Sequence, residues 1–131
     1  MPRIFSYSQL VSDNNEVNEY ADKHSPVVTC APSVAHGSML KVNVRIGRTI
    51  AHPYAADHRF TYVQLWDLET LLAEAHFTLA TYSSSPIMPE VDFYVRPKVS
   101  LRLKALAYCN KHGLWESEEV FVKVNDIPTE G

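Results

Sequence analysis

Alternation of apolar and polar side chains with a period of two is the feature that most constrains this fold. Val42, Val44 and Ile46 alternate with charged and amide side chains until Gly47 interrupts the pattern. This spacing gives an extended strand one buried face and one solvent face. Further short runs rich in β-branched, aromatic or aliphatic residues predict strands at 60–66, 75–82, 91–95, 101–109 and 120–124. The sequence therefore predicts an all-β protein.

Segments that favour turns separate most of these runs, notably 83–89 and 97–98. Only residues 67–75 (DLETLLAEA) have a helical composition, and at that length they could equally form a turn of helix inside a connecting loop. Six or seven strands at this spacing predict an immunoglobulin-like antiparallel β-sandwich, with ligands presented by loops at one end. Residues 1–20 are interpreted as a polar N-terminal arm.

The size and charge of the chain narrow the possible functions. Its 131 residues suffice for one hydrophobic core, so we expect a single domain spanning residues 1–131. A net charge of −3 argues against nucleic-acid binding, which needs a dense basic face. The apolar runs are too interrupted to span a membrane, and the first ten residues lack the apolar stretch of a signal peptide. We therefore expect a soluble, cytoplasmic protein.

The first motif with metal-binding chemistry lies at the end of the predicted strand 101–109. Cys109 and His112 stand three residues apart, and Gly113 closes the segment. A thiolate and an imidazole together suit Fe, Cu or Zn better than Mg or Ca. The alternative is a buried free cysteine beside a surface histidine.

The second motif places two histidines six positions apart in a loop. Pro53 stiffens the loop directly after His52, and His58 ends it. A loop of this length can bring both imidazoles to one ion. The alternative is two unrelated loop histidines.

The third motif combines a carboxylate, an ammonium and an imidazole in Asp22, Lys23 and His24, just before Pro26. By itself it could be an ordinary solvated charge pair. Together, however, the three motifs supply four of the six histidines and one of the two cysteines of the chain, which favours one shared metal site.

The remaining candidate ligands are interpreted as bystanders. His36, beside Gly37, is expected in a surface turn, and His76 in a strand. Cys30 could be a buried structural thiol, the preferred interpretation, or an adventitious redox partner.

These motifs resemble the superoxide reductases of the neelaredoxin and desulfoferrodoxin family. The resemblance spans roughly residues 24–116 and rests on His24, the loop from His52 to His58, and the run YCNKHGLWE that ends at Glu116. It implies an immunoglobulin-like sandwich around one mononuclear non-haem iron, with four imidazoles in a plane, a thiolate on the axis and the sixth position open. The implied ligands are His24, His52, His58, Cys109 and His112.

The resemblance also implies an activity, the one-electron reduction of superoxide to hydrogen peroxide without release of dioxygen. Neutral imidazoles leave the ferrous charge largely uncompensated, so a small anion is attracted, while the thiolate stabilises the ferric state. Lys23 is expected to attract superoxide and to help position water for proton delivery. Asp22 stands where the family usually has a glutamate, whose side chain is one methylene longer. We therefore predict that closure of the open position by this carboxylate is slower or absent.

Two departures from the family bear on iron content and partners. Arg59 follows His58 where many relatives carry a second histidine, which is not a ligand. An N-terminal Cys-x-x-Cys module is absent from the sequence, so we expect one iron per chain and a separate electron donor, such as a rubredoxin-like protein. Single-iron relatives imply a homo-oligomer, either a tetramer or a dimer.

Two other classes of protein compete with this interpretation. Cupredoxins are β-sandwiches with Cys-x-x-His after a strand, usually followed by a methionine ligand, and residues 113–118 contain no methionine. A non-enzymatic module could instead hold a structural zinc, but zinc prefers four ligands and five candidates are present.

Overall fold

Two packed β-sheets form the architecture of the chain, in a computed structural model that describes residues 2–10, 18–78 and 86–126. In chain order the elements are β1 (Ile4–Ser6), α1 (Tyr7–Leu10), α2 (Glu19–His24), β2 (Pro26–Thr29), β3 (Ser33–Ala35), β4 (Leu40–Ile46), β5 (Phe60–Asp67), β6 (Thr70–His76), β7 (Glu90–Val95), β8 (Leu101–Cys109), β9 (Gly113–Glu116) and β10 (Val120–Asn125). The expectation of an all-β sandwich is confirmed. Neither helix among the described residues is long and apolar enough to cross a membrane.

Strand β8 lies at the centre of the larger sheet. One of its edges pairs antiparallel with β5, and the other pairs first with β10 and then with β9. Strand β6 extends the sheet beyond β5, while β1 and β3 add in parallel to β9 and β10. The smaller sheet has the antiparallel order β2, β4, β7. Among the described residues, eight strands thus pair antiparallel within the two sheets, and β1 and β3 join the larger sheet in parallel.

Alternating burial builds the core between the two sheets. Val42, Val44 and Ile46 of β4 point inward, as the period of two predicts. On β8 the buried positions recur at every second residue from Leu101 to Cys109. The thiol is therefore the last inward side chain of a core strand, where the hydrophobic interior meets the end of the sandwich.

The interpretation of residues 67–75 as a helix, or as a turn of helix inside a loop, is wrong. Residues 67–75 form no helix; instead the chain reverses at Leu68, which has a φ of 48°, and continues as β6. The backbone N–H of Arg102 donates to the Asp67 carboxylate at 2.9 Å, which ties this turn to β8. Pairing with β5 thus overrides the helical composition. The strand predicted at 75–82 ends at His76, and its residues 79–82 lie outside the described part.

Part of the predicted polar arm belongs to the sandwich. Ile4–Ser6 pairs with β9, and the Phe5 ring packs on Trp115 with ring centroids 5.1 Å apart. A three-residue strand is too short to produce a recognisable alternation, which explains why the sequence did not reveal it. Residues 11–17 of the arm lie outside the described part.

The strand register brings the three metal-binding motifs to one end of the sandwich. Phe60 pairs with Cys109, and Cys109 pairs with Gly113, so His58 and His112 emerge beside the thiol. His24 ends α2 just before β2, whose Pro26 pairs with the last residue of β4. The segment leading to His52 continues from that same end of β4.

Candidate metal centre

Five side chains converge at this end of the sandwich, each offering one metal-binding atom. The five atoms lie within 4.8 Å of one another, and they belong to His24, His52, His58, Cys109 and His112. All five ligands predicted from the sequence are therefore brought together. His36 lies in a turn and His76 in β6, outside this group, as expected.

The four imidazoles follow one another around a common centre. Nε2 of His24 lies 3.1 Å from Nε2 of His52 and 3.1 Å from Nδ1 of His112. Nε2 of His58 lies 3.1 Å from the same atom of His112, and the His52 and His58 ring centroids are 4.6 Å apart. Four nitrogens at the corners of a square with this spacing would lie about 2.2 Å from its centre (3.1 Å divided by √2), and zinc–imidazole distances in proteins are about 2.0–2.1 Å.

Two backbone carbonyls determine which nitrogens of the buried histidines can bind a metal. Nδ1 of His24 lies 2.7 Å from the Tyr20 carbonyl oxygen, and Nδ1 of His52 lies 2.7 Å from the Pro53 carbonyl oxygen. A carbonyl oxygen only accepts, so each Nδ1 carries the proton and each Nε2 presents a lone pair. Two lone pairs that face each other at 3.1 Å repel unless a cation lies between them. The donor set therefore fits a metal ion.

Burial keeps the imidazoles neutral. His24 and His52 are 0% and 1% exposed, and desolvation lowers the pKa of His24 to about 3 and that of His52 to about 4. Burial also lowers the pKa of His58 and of His112, with further lowering from nearby positive charges. Neutral imidazoles are the form that binds metals, so all four are ready to coordinate at neutral pH.

The Cys109 sulfur completes the donor set. It lies 3.5 Å from Nε2 of His52 and 3.9 Å from Nδ1 of His112. Burial raises the pKa of the Cys109 thiol, while the backbone N–H groups of Lys111 and His112 hydrogen-bond to the sulfur and act in the opposite direction. A bound metal deprotonates such a thiol outright. The combination of four imidazoles and one thiolate suits Fe, Cu or Zn.

Asn110 connects the loops that carry the ligands, a role that the motif analysis missed. Its side-chain oxygen accepts from the backbone N–H of Arg59 at 2.9 Å, and its backbone N–H donates to the Arg59 carbonyl at 3.0 Å. Its side-chain N–H also reaches the Ala56 carbonyl at 3.5 Å. Asn110 thereby holds the loop of His58 against the loop of Cys109 and His112. Only its position inside the motif could have suggested this.

Two aromatic residues pack against the imidazoles of His24 and His112. The Trp115 ring stacks on His24 with centroids 4.8 Å apart, and its Nε1–H donates to the His112 carbonyl at 3.1 Å. Tyr20 is 40% exposed, and its ring contacts His24 and His112 at centroid distances of 4.8 and 5.2 Å. These rings restrict the orientations that the two imidazoles can adopt.

Asp22 and Lys23 occupy different environments although they are neighbours. Burial by itself would raise the pKa of Asp22, but hydrogen bonds from Thr49 and Ile50, together with the Arg48 charge, hold it below its usual value. Lys23 is half-buried. Burial is the largest cause that lowers the pKa of His112, and the positive charge of Lys23 is the second largest. The ammonium therefore acts on the ligand cluster, whereas the carboxylate is engaged elsewhere.

Comparisons with known proteins agree with this geometry. The sequence profile of the family described as desulfoferrodoxin matches residues 16–118. Over 103 residues the chain is 32% identical to the superoxide reductase of Thermococcus kodakarensis, covering 74% of this chain and 85% of that protein. It is 28% identical to the neelaredoxin of Megalodesulfovibrio gigas, covering 75% of this chain and 85% of the relative. A solved structure of the superoxide reductase (neelaredoxin) from Ignicoccus hospitalis superposes with a TM-score of 0.69 at 26% identity, covering 92% of this chain and 95% of that one.

Replacing Asn110 by Ala is expected to weaken metal binding by about tenfold to a hundredfold, the usual effect of losing a residue that orients ligands. Equilibrium titration with Co²⁺, followed by absorbance, measures the affinity. The matched control is Asn43→Ala, because Asn43 bridges Glu90 and Asp92 on the smaller sheet and touches none of the ligands. Equal affinities for the two variants would contradict the role of Asn110.

Acid is expected to destabilise the metal-free protein. The pKa values of His24 and His52, about 3 and 4, lie below the value of about 6.5 in an unfolded chain. The unfolded state therefore binds more protons below about pH 6.5, and the free energy of unfolding falls as the pH drops from about 6.5 towards 4. Urea unfolding at several pH values measures the slope. His52→Gln should reduce the dependence of the free energy of unfolding on pH. His76→Gln, at an exposed site, should leave this dependence unchanged. If His52→Gln also leaves it unchanged, the prediction is refuted.

Proposed function

This chain belongs to the desulfoferrodoxin family, and from that membership we infer that it is a superoxide reductase, an oxidoreductase that converts superoxide to hydrogen peroxide. The observation that carries this conclusion is the convergence of four imidazole nitrogens and one sulfur within 4.8 Å of one another. The match to the family profile extends from residue 16 to residue 118 and so includes all five residues.

We propose that the bound ion is one mononuclear non-haem iron per chain, held by His24, His52, His58, Cys109 and His112. Iron held there supplies one-electron chemistry: the ferrous form, superoxide and two protons give the ferric form and hydrogen peroxide. A structural zinc needs only four of these donors. A cupredoxin copper site uses two histidines with the cysteine and would leave the other two histidines without a role.

The charges of the site favour an anionic substrate. Four of the five donors are neutral imidazoles, so the protein places a single negative charge, the Cys109 thiolate, against a divalent ion. Lys23 and Lys111 add positive charge close to His112. A small anion such as superoxide is therefore attracted to this end of the sandwich.

Different groups adjust the electron density on the Cys109 sulfur and assist the delivery of protons. The backbone N–H groups of Lys111 and His112 donate to the Cys109 sulfur and moderate the electron density that it offers to the metal. Half-buried Lys23 is proposed to attract the anion and to hold water for proton delivery. These two roles are complementary, because reduction and protonation must both occur before hydrogen peroxide leaves.

The partners follow from the same resemblance. We propose that a separate electron donor, such as a rubredoxin-like protein, returns the ferric form to the ferrous form. We also propose that the chain forms a homo-oligomer, a dimer or a tetramer, and acts in the cytoplasm. The absence of nucleic-acid binding stays a prediction from the net charge.

Stopped-flow mixing or pulse radiolysis of the reduced, iron-loaded protein tests the function. We expect one iron per chain, rapid oxidation by superoxide, one hydrogen peroxide for each superoxide consumed, and no release of dioxygen. Cys109→Ser serves as the comparison, because it replaces the proposed sulfur ligand while keeping a similar size. A rate no faster than that of free iron would overturn the assignment, and stoichiometric dioxygen would indicate a dismutase.

Lys23→Ala is expected to slow the second-order reaction with superoxide severalfold to about tenfold and to weaken its dependence on ionic strength, because the mutation removes an attracting charge. Iron content should remain near that of the unmodified protein. Lys41→Ala, on the exposed face of β4, is the matched control for the loss of one positive charge. Unchanged rates with Lys23→Ala, or lost iron, would count against a steering role.

A further inference from the structure

The Asp22 side chain is directed to a turn rather than to the ligand cluster. Its Oδ1 accepts from the backbone N–H groups of Thr49 and Ile50, both at 2.8 Å, and its Oδ2 accepts from the Thr49 hydroxyl at 2.7 Å. Asp22 is only 3% exposed. Both carboxylate oxygens are therefore occupied by fixed donors inside the protein.

The backbone reinforces the same connection. The N–H of Arg48 donates to the Asp22 carbonyl at 3.1 Å, and the N–H of Gly47 donates to the Ser25 carbonyl at 2.9 Å. These bonds join the end of α2, which carries His24, to residues 47–50, which lead directly to His52. Asp22 thus lies at the junction between the two segments that supply the buried histidines.

Helix geometry explains why Asp22 cannot point the same way as His24. The two residues are two positions apart on α2, and side chains at that spacing do not share a face of a helix. His24 points into the cluster, where Nε2 approaches His52 and His112. Asp22 consequently points away from it, towards Thr49.

We propose that Asp22 is a positioning residue, which holds α2 against residues 47–50 so that His24 and His52 face each other, and that it does not bind the metal itself. The inference deepens the proposed metal centre and rests on it, but it requires no superoxide chemistry. Asp22 is one methylene shorter than the family's usual glutamate, and the proposal gives its hydrogen-bonded carboxylate a structural role.

The substitution Asp22→Asn distinguishes a positioning role of Asp22 from direct binding of the metal by its carboxylate. In Asp22→Asn, Oδ1 still accepts from the two backbone N–H groups and the side-chain N–H₂ can donate to the Thr49 hydroxyl, so the junction is kept while the carboxylate is lost. Asp22→Ala removes all three hydrogen bonds. Thr49→Val removes only the hydroxyl bond and is a milder variant, in case Asp22→Ala folds poorly. Asp92→Ala, at an exposed carboxylate on β7, is the matched control.

Two measurements decide the question, both independent of superoxide turnover. Co²⁺ titration should give an affinity within about twofold of the unmodified protein for Asp22→Asn and Asp92→Ala, about tenfold weaker for Asp22→Ala, and intermediate for Thr49→Val. Azide affinity and the absorption spectrum of the ferric protein should be unchanged in Asp22→Asn.

Several outcomes would overturn the proposal. A shifted ferric spectrum or tighter azide binding in Asp22→Asn would identify the carboxylate as a ligand of ferric iron. Full Co²⁺ affinity in Asp22→Ala, or equal losses in the alanine and asparagine variants, would exclude positioning through these hydrogen bonds. If the unmodified protein bound Co²⁺ but did not react with superoxide, the proposed function would fail while the order of affinities would still decide the role of Asp22.

Discussion

The two hydrogen bonds that set the tautomers of the buried histidines are the constraint on which the site depends. The Tyr20 and Pro53 carbonyls each bind a ring N–H, so the opposite nitrogens of His24 and His52 face each other with lone pairs only 3.1 Å apart. That arrangement is unfavourable without a cation, and burial prevents protonation from relieving it. Metal binding and the stability of this end of the fold are therefore coupled.

The sandwich delivers the ligands through the ends of its strands. Cys109 is the last inward residue of β8, so the sulfur sits at the edge of the hydrophobic core, shielded from water. His24 ends α2, and the other three histidines lie in connections between strands. Asn110 and Asp22 both hold the connection between β4 and β5: Asn110 joins its end to the segment after β8, and Asp22 joins its start to α2. Lys23 and Lys111 add positive charge near His112, which favours a small anion.

The sequence interpretation succeeded where local patterns carry the information. The alternation in β4 and β8 correctly predicted strands with one buried face, and the three motifs contained the five side chains that converge, the set that the family resemblance implied. It failed at residues 67–75, where helical composition lost to pairing with β5, and it missed Ile4–Ser6, which is too short to show a period. It named Asp22 as a candidate without locating its partners.

The amino-acid sequence alone determined the class of fold and the kinds of donor atoms available, because alternation, turn-forming residues and ligand chemistry are properties of neighbouring residues. The tertiary structure alone decided which nitrogen of each buried histidine faces the centre, and that the Asp22 carboxylate binds Thr49 and Ile50. The carboxylate's partners lie 27 and 28 positions further along the chain. Only the packing of α2 against the segment after β4 brings such atoms within hydrogen-bonding distance.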